Sequence, residues 1–148
     1  MTNLPPLRIR DFSPNYMDSL VICFNSIFDE TEIPYFNSIT DFSNTYIGID
    51  SSDNVCAFII AYKNQKVFAQ YEIAYLGVST EYRRSGYARM LLQLIMDKLE
   101  GQCIWLNALA DNDKACKLYR DFGFKERERI IDNSGNKAII FATVECLS

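Results

Sequence analysis

Between a strongly apolar strand pattern and an amphipathic helix pattern lies the run Tyr82-Arg83-Arg84-Ser85-Gly86-Tyr87-Ala88. These residue types suit the holding of an anion, phosphate above all. The first turn of a helix presents backbone N–H groups without partners inside the helix, and its dipole favours negative charge there. Gly86 lets a ligand approach the backbone, and small Ala88 keeps the turn clear. A plain glycine turn explains the glycine but not the paired arginines and the small residue beyond it. The second chemical signal is Glu72, inside an apolar run from Val67 to Val78 whose only other strongly polar member is Gln70. An ionised carboxylate is costly there unless something uses or pairs it, and partial burial lifts its pKa toward that of a working general base. The competing reading is a carboxylate pointing out of a sheet edge or tied to an arginine.

Composition narrows the chemistry. The chain has 148 residues and no histidine. Imidazole therefore cannot serve as base, a Cys/His zinc site cannot form, and a Cys–His nucleophile pair is excluded, so no metal is expected. Proton transfer falls to Glu, Asp, Tyr, Cys, Lys or water. The five cysteines (Cys23, Cys56, Cys103, Cys116, Cys146) are scattered, odd in number and without a C-x-x-C pair, which reads as reduced thiols in a cytoplasmic protein. Net charge is −4 and the sequence pI is about 4.8, which argues against nucleic acid as partner in spite of Arg83, Arg84 and Arg120. No apolar stretch reaches membrane-spanning length, and the first residues lack a signal-peptide layout.

The elements that must position these residues follow from periodicity. Leu7 to Asp11 alternates as a strand, and Ser13-Pro14 reads as an N-cap before the helical spacing of Met17, Leu20, Val21, Phe24, Ile27 and Phe28. A short helix is expected over 35–42. Strands over 46–49 and 55–62 flank the turn Asp50 to Asn54. Val67 to Val78 reads as a central strand covered on both faces. Ala88, Leu91, Leu92, Ile95 and Leu99 make one helical stripe. A strand over 103–109 and a helix from about Asp111 or Asn112 to Phe122, stopped at Gly123, come next, and strands over 124–131 and 138–144 pair across Asn133 to Asn136. The expected fold class is α/β in the order β-α-α-β-β-β-α-β-α-β-β, one mixed sheet with helices on its faces, in a single domain over residues 1–148.

Two segments together resemble a known family. Leu76-Gly77-Val78 followed by Arg83-x-x-Gly86-x-Ala88 resembles the acetyl-CoA pyrophosphate signature of the GCN5-related N-acetyltransferases. Asn112-x-x-Ala115-x-x-Leu118-Tyr119-x-x-x-Gly123-Phe124 resembles that family's second signature. The likeness spans roughly residues 7 to 145. It implies a sheet whose fourth and fifth strands splay apart, with acetyl-CoA as co-substrate between them. Pantetheine would pair with the fourth strand at Leu76, Gly77 and Val78, and the pyrophosphate would rest on Arg83, Arg84, Ser85, Gly86, Tyr87 and Ala88. Ala88 stands where glycine is frequent, a variation the family accepts.

The resemblance also implies roles. The spacing of Glu72 to Gly86 resembles that of the general-base glutamate in the histone-acetylating branch. Tyr119 holds the position of the tyrosine that protonates or hydrogen-bonds the CoA sulfur, or else it belongs to the helix's core stripe with Ala115, Leu118 and Phe122. The Val78 amide would polarise the thioester carbonyl. Asn112 would bind the pantetheine arm, or only cap its helix. The segment Asp29-Glu30-Thr31-Glu32-Ile33-Pro34-Tyr35 would roof the acceptor site. Its acids would draw in a cationic amine, unless they form a merely solvated loop. The expected activity is transfer of acetyl from acetyl-CoA to a small-molecule or peptide primary amine, by direct attack in a ternary complex rather than through an acyl-enzyme. The alternative is a non-catalytic acyl-CoA sensor of the same fold. A homodimer paired through sheet edges or helices is compatible with the likeness.

Overall fold

The computed structural model describes residues 4–66 and 69–143. Val67 and Phe68 at the start of the expected central strand, Val144 at the end of the last strand, and Cys146 lie outside the described residues. The elements are β1 Arg8–Asp11, α1 Met17–Ile27, α2 Ile33–Asn37, β2 Asn44–Ile49, β3 Val55–Lys66, β4 Ala69–Val78, α3 Tyr87–Lys98, β5 Ile104–Leu109, α4 Asp113–Asp121, β6 Phe124–Ile131 and β7 Lys137–Thr143. Their order is the one periodicity predicts. The strands form one seven-stranded sheet in the order β1-β2-β3-β4-β5-β7-β6. Thus β4, the apolar run, takes the middle position. The β4–β5 ladder is parallel, whereas the β1–β2, β2–β3, β5–β7 and β6–β7 ladders are antiparallel.

By packing, the chain divides into two compact units: residues up to Ala61 with Tyr75–Lys98, and Tyr62–Ala74 with the chain from Leu99 onward. In the first, α1 buries Leu20, Cys23 and Phe24. The Phe24 ring lies 4.3 Å from that of Phe36 and 4.9 Å, edge-on, from that of Tyr75. The α3 stripe is realised by Leu91, Leu92 and Ile95, all fully buried, each contributing about 1.5–3 kcal/mol by removal from water. Gly77 sits where space is short: a Cβ there would meet Phe58, Ile27 and Phe28 at 3.0–3.2 Å. In the second unit, Tyr119 packs between Phe124 and Phe141. Ala69, Trp105 and Ala142 form a further buried cluster.

The main differences from the sequence reading concern α2, the start of α1 and the end of β3. The second helix covers Ile33–Asn37 rather than 35–42, because Pro34 suits its first turn and the Ser38 hydroxyl donates back to the Tyr35 carbonyl at 2.6 Å, closing it after one turn. Ser13 makes no side-chain cap; its carbonyl accepts the Tyr16 amide in a 3-10 turn over Pro14–Tyr16 ahead of α1. Strand β3 continues four residues past Tyr62, through Lys63, Asn64, Gln65 and Lys66.

Candidate active site

In the first unit, β4 leads through a 3-10 turn at Thr80–Tyr82 to the arginine-glycine loop. Arg84 (φ 64°) and Gly86 (φ 84°) both take the left-handed region. For Arg84 this costs about 1 kcal/mol, a strain that segments around binding sites commonly carry. Left-handed residues interspersed in a turn are the backbone pattern of anion-binding concavities. The Gly86 carbonyl accepts the Met90 amide at 3.0 Å, so α3 starts directly from the loop. A Cβ on Gly86 would stand in open space, with no atom within 4 Å. The glycine is there for its backbone conformation and for room in front of it, and both fit a diphosphate.

The loop's side chains have other work. Arg83 Nε donates to the Val78 carbonyl at 3.0 Å, bracing the end of β4. The Tyr87 hydroxyl accepts the Leu7 amide at 2.9 Å, tying the start of the chain to α3. Arg84 and Ser85 are exposed, and Ala88 is half-buried.

In the second unit, β4 pairs with β5 at Tyr71↔Ile104 and Glu72↔Trp105; among the described residues the ladder ends there. Glu72 is half-buried. Its Oε1 accepts from Asn64 Nδ2 at 2.8 Å, and the nearby Tyr62 hydroxyl favours its ionised form. Burial dominates and pushes the Glu72 carboxyl above its ordinary value, while Asn64, Tyr62 and the Lys66 charge each pull it partly back. Neutral donors thus replace the arginine weighed from the sequence. Tyr62 in turn is pushed up to about 12, by burial first and then by the Glu72 charge. Asn64 and Tyr62 are the residues that sequence reading missed. The signal was the alternation Tyr62, Asn64, Lys66, which places polar groups on one face of a strand that had seemed to end.

Tyr119 is buried on α4, and its hydroxyl has no hydrogen-bond partner among the described residues. Burial, with a smaller contribution from Cys116, raises it to about 12. Asn112 is the N-cap of α4, its Oδ1 accepting from the Ala115 amide at 3.2 Å. Between α1 and α2, Asp29 accepts from the Thr31 amide at 3.1 Å. Glu32 accepts from the Tyr75 hydroxyl at 2.9 Å. Glu30 and Tyr35 are exposed.

Comparison with known proteins agrees with this layout. The profile of the acetyltransferase (GNAT) family matches residues 10–124. Among curated relatives, N-alpha-acetyltransferase RimI of Mycobacterium tuberculosis is 31% identical over 83 residues, 55% of this chain and 52% of that protein. The [ribosomal protein bS18]-alanine N-acetyltransferase of Salmonella typhimurium is 32% identical over 81 residues, 53% of each chain. The chain thus spans about half the length of these curated relatives. Two solved structures share its fold. The NatC complex bound to Gag peptide and CoA has a TM-score of 0.80 at 18% identity, covering 94% of this chain and 98% of that one. Arabidopsis thaliana Naa50 with a bisubstrate analogue has a TM-score of 0.75 at 20% identity, covering 94% and 99%. With its two signatures, its sheet order and a family match across most of its length, the chain belongs to the GNAT family of acetyltransferases.

Proposed function

We propose that this protein is an acetyl-CoA-dependent N-acetyltransferase whose acceptor is a primary amine, in the first place the amino terminus of a peptide or protein. The observation that carries the reading is a half-buried carboxylate, Glu72, held by neutral donors in the middle strand of a fold that also presents a left-handed, glycine-opened turn at the start of α3. The curated relatives are named an N-alpha-acetyltransferase and a ribosomal protein bS18-alanine N-acetyltransferase, which favours an enzyme over a sensor of the same fold and a protein or peptide amine over a small molecule. Its placement in the cytoplasm is supported by the buried thiols of Cys23, Cys56 and Cys116, none of them in a disulfide among the described residues. Among the described residues no helix is long and apolar enough to cross a membrane.

The residues divide the work as follows. The amides from Arg84 to Ala88 hold the pyrophosphate, with the Arg83 brace and the Tyr87 anchor keeping the loop in place. The β4 backbone over Leu76, Gly77 and Val78 receives the pantetheine arm. Asn112 can serve that arm too, since capping uses only its oxygen and leaves the amide donors free. When bound, acetyl-CoA supplies an activated acyl group and a thiol leaving group. A Glu72 oxygen takes the proton that the acceptor amine must lose, and burial raises its basicity for that step. Tyr119 acts as a hydrogen-bond donor to the sulfur. With its pKa near 12, full proton transfer to a thiolate of ordinary basicity (~8.5) would be uphill by about 5 kcal/mol. Glu30 and Tyr35 are exposed on the segment that meets the acceptor. Asp29 and Glu32 shape that segment through Thr31 and Tyr75.

The test is release of CoA thiol from acetyl-CoA against a panel of peptides with free amino termini, the same peptides amino-blocked, and small amines. The reading expects turnover on free peptide amines that blocking abolishes. Stabilisation by acetyl-CoA without turnover on any amine would establish the sensor instead.

A further inference from the structure

Strand β3 carries two polar side chains, Tyr62 and Asn64, one pleat apart and therefore on one face. Asn64 Nδ2 donates to a carboxylate on β4, 2.8 Å from Glu72 Oε1, and the Tyr62 hydroxyl acts on the same carboxylate from the same face. The Asn64 backbone is itself fixed, because its carbonyl accepts the indole N–H of Trp105 at 3.3 Å, and Trp105 is the ladder partner of Glu72. Indole, asparagine backbone, asparagine amide and carboxylate thus form one closed circuit linking β3, β4 and β5 in the second unit.

We propose that Asn64 and Tyr62 are positioning residues that hold the Glu72 carboxylate in one orientation and keep it ionised for proton abstraction. The proposal rests on the reading of Glu72 as the general base. Burial without donors pushes a carboxylate toward its protonated form, in which it cannot serve as base; one paired only with a cation would be a weak base. Amide and hydroxyl donors lie between these limits. They steady the anion while leaving other lone pairs of the carboxylate for the acceptor's proton. From β3 the groups facing Glu72 are Tyr62, Asn64 and the Lys66 ammonium, whose effect is the smallest of those that lower its pKa. From β5 the facing group is Trp105, which does not titrate. Tyr62 keeps its proton throughout the working range.

Two measurements test this: the pH dependence of kcat/KM on a peptide acceptor, and the carbon-13 carboxyl titration of Glu72, in wild type, Asn64→Leu and Tyr62→Phe. Loss of either donor is expected to move both the acidic limb and the carboxyl titration about one pH unit upward. Rates below the limb then fall about tenfold, while the fall on the alkaline plateau is smaller, about threefold. A merely structural residue would lower the rate evenly and leave the limb in place. If Glu72→Gln is inactive while both variants keep the wild-type limb and titration, the positioning proposal is overturned and the base stands. If Glu72→Gln keeps wild-type turnover, the base reading is overturned, and the positioning role with it. Tyr62→Phe deletes a single oxygen from a half-buried side chain, so folding does not limit the test.

Discussion

The residue-scale lesson is that a polar group inside an apolar run is informative by its type, while its partners decide what it does. Glu72 stood out in the sequence because nothing around it was charged; its donors did not, because Asn64 and Tyr62 meet it only through strand pairing. The same holds for the arginines beside Gly86. The sequence makes them look like anion ligands, and folding engages Arg83 Nε with the Val78 carbonyl. Tyr119 was legible by position, but its buried setting redefines what it can give. A phenol raised to about 12 stays protonated at every pH an assay reaches. Tyr119→Phe should therefore lower kcat about 10- to 100-fold with little change in the KM for acetyl-CoA, and should remove no basic limb below pH 10. A limb near pH 8–9 that vanishes in the phenylalanine variant would mean that the tyrosine titrates in catalysis after all.

At the scale of elements, strands and helices with clean periodicity were readable, and their polar ends were not. Strand β3 outruns its apolar pattern, and within that polar stretch Asn64 is held by hydrogen bonds to Glu72 and from Trp105. Helix α2 stops early because a serine hydroxyl competes for a carbonyl. Glycine identity was readable too, with the reason left open. Gly77 and Gly86 lie in the two halves of one signature yet serve opposite needs, close packing in one and a left-handed backbone in the other. Gly77→Ala should lower stability by about 1–3 kcal/mol, because the added methyl presses on Phe58, Ile27 and Phe28. Gly86→Ala should cost only about 1 kcal/mol of stability, since its methyl meets nothing, but should weaken acetyl-CoA binding at least tenfold. Denaturant unfolding alongside calorimetric titration separates the two. Equal stability losses with unchanged affinity would refute the division.

For the molecule as a whole, titration of buried groups fixes an alkaline limit. Tyr62 and Tyr119 are raised from 10.0 to about 12, and Cys56 from 9.0 to about 12, chiefly by burial. The folded state therefore holds these protons more tightly than the unfolded chain does. Their stabilisation is fully present below pH 9 and is lost as pH rises from about 9 through 12. Tyr119 alone accounts for about 2–3 kcal/mol of that loss. The urea midpoint should hold between pH 7 and 8.5 and fall steadily above pH 9.5; a midpoint independent of pH up to 11 would show that these groups are not buried as described. The most direct test of the central claim is a single turnover of acetyl-CoA with a free-amino-terminal peptide, read by mass spectrometry of the peptide in wild type and Glu72→Gln. Acetylated peptide in the wild type, with a rate at least a hundredfold lower in the glutamine variant at unchanged acetyl-CoA affinity, is the outcome expected. Equal acetylation by both proteins would contradict it.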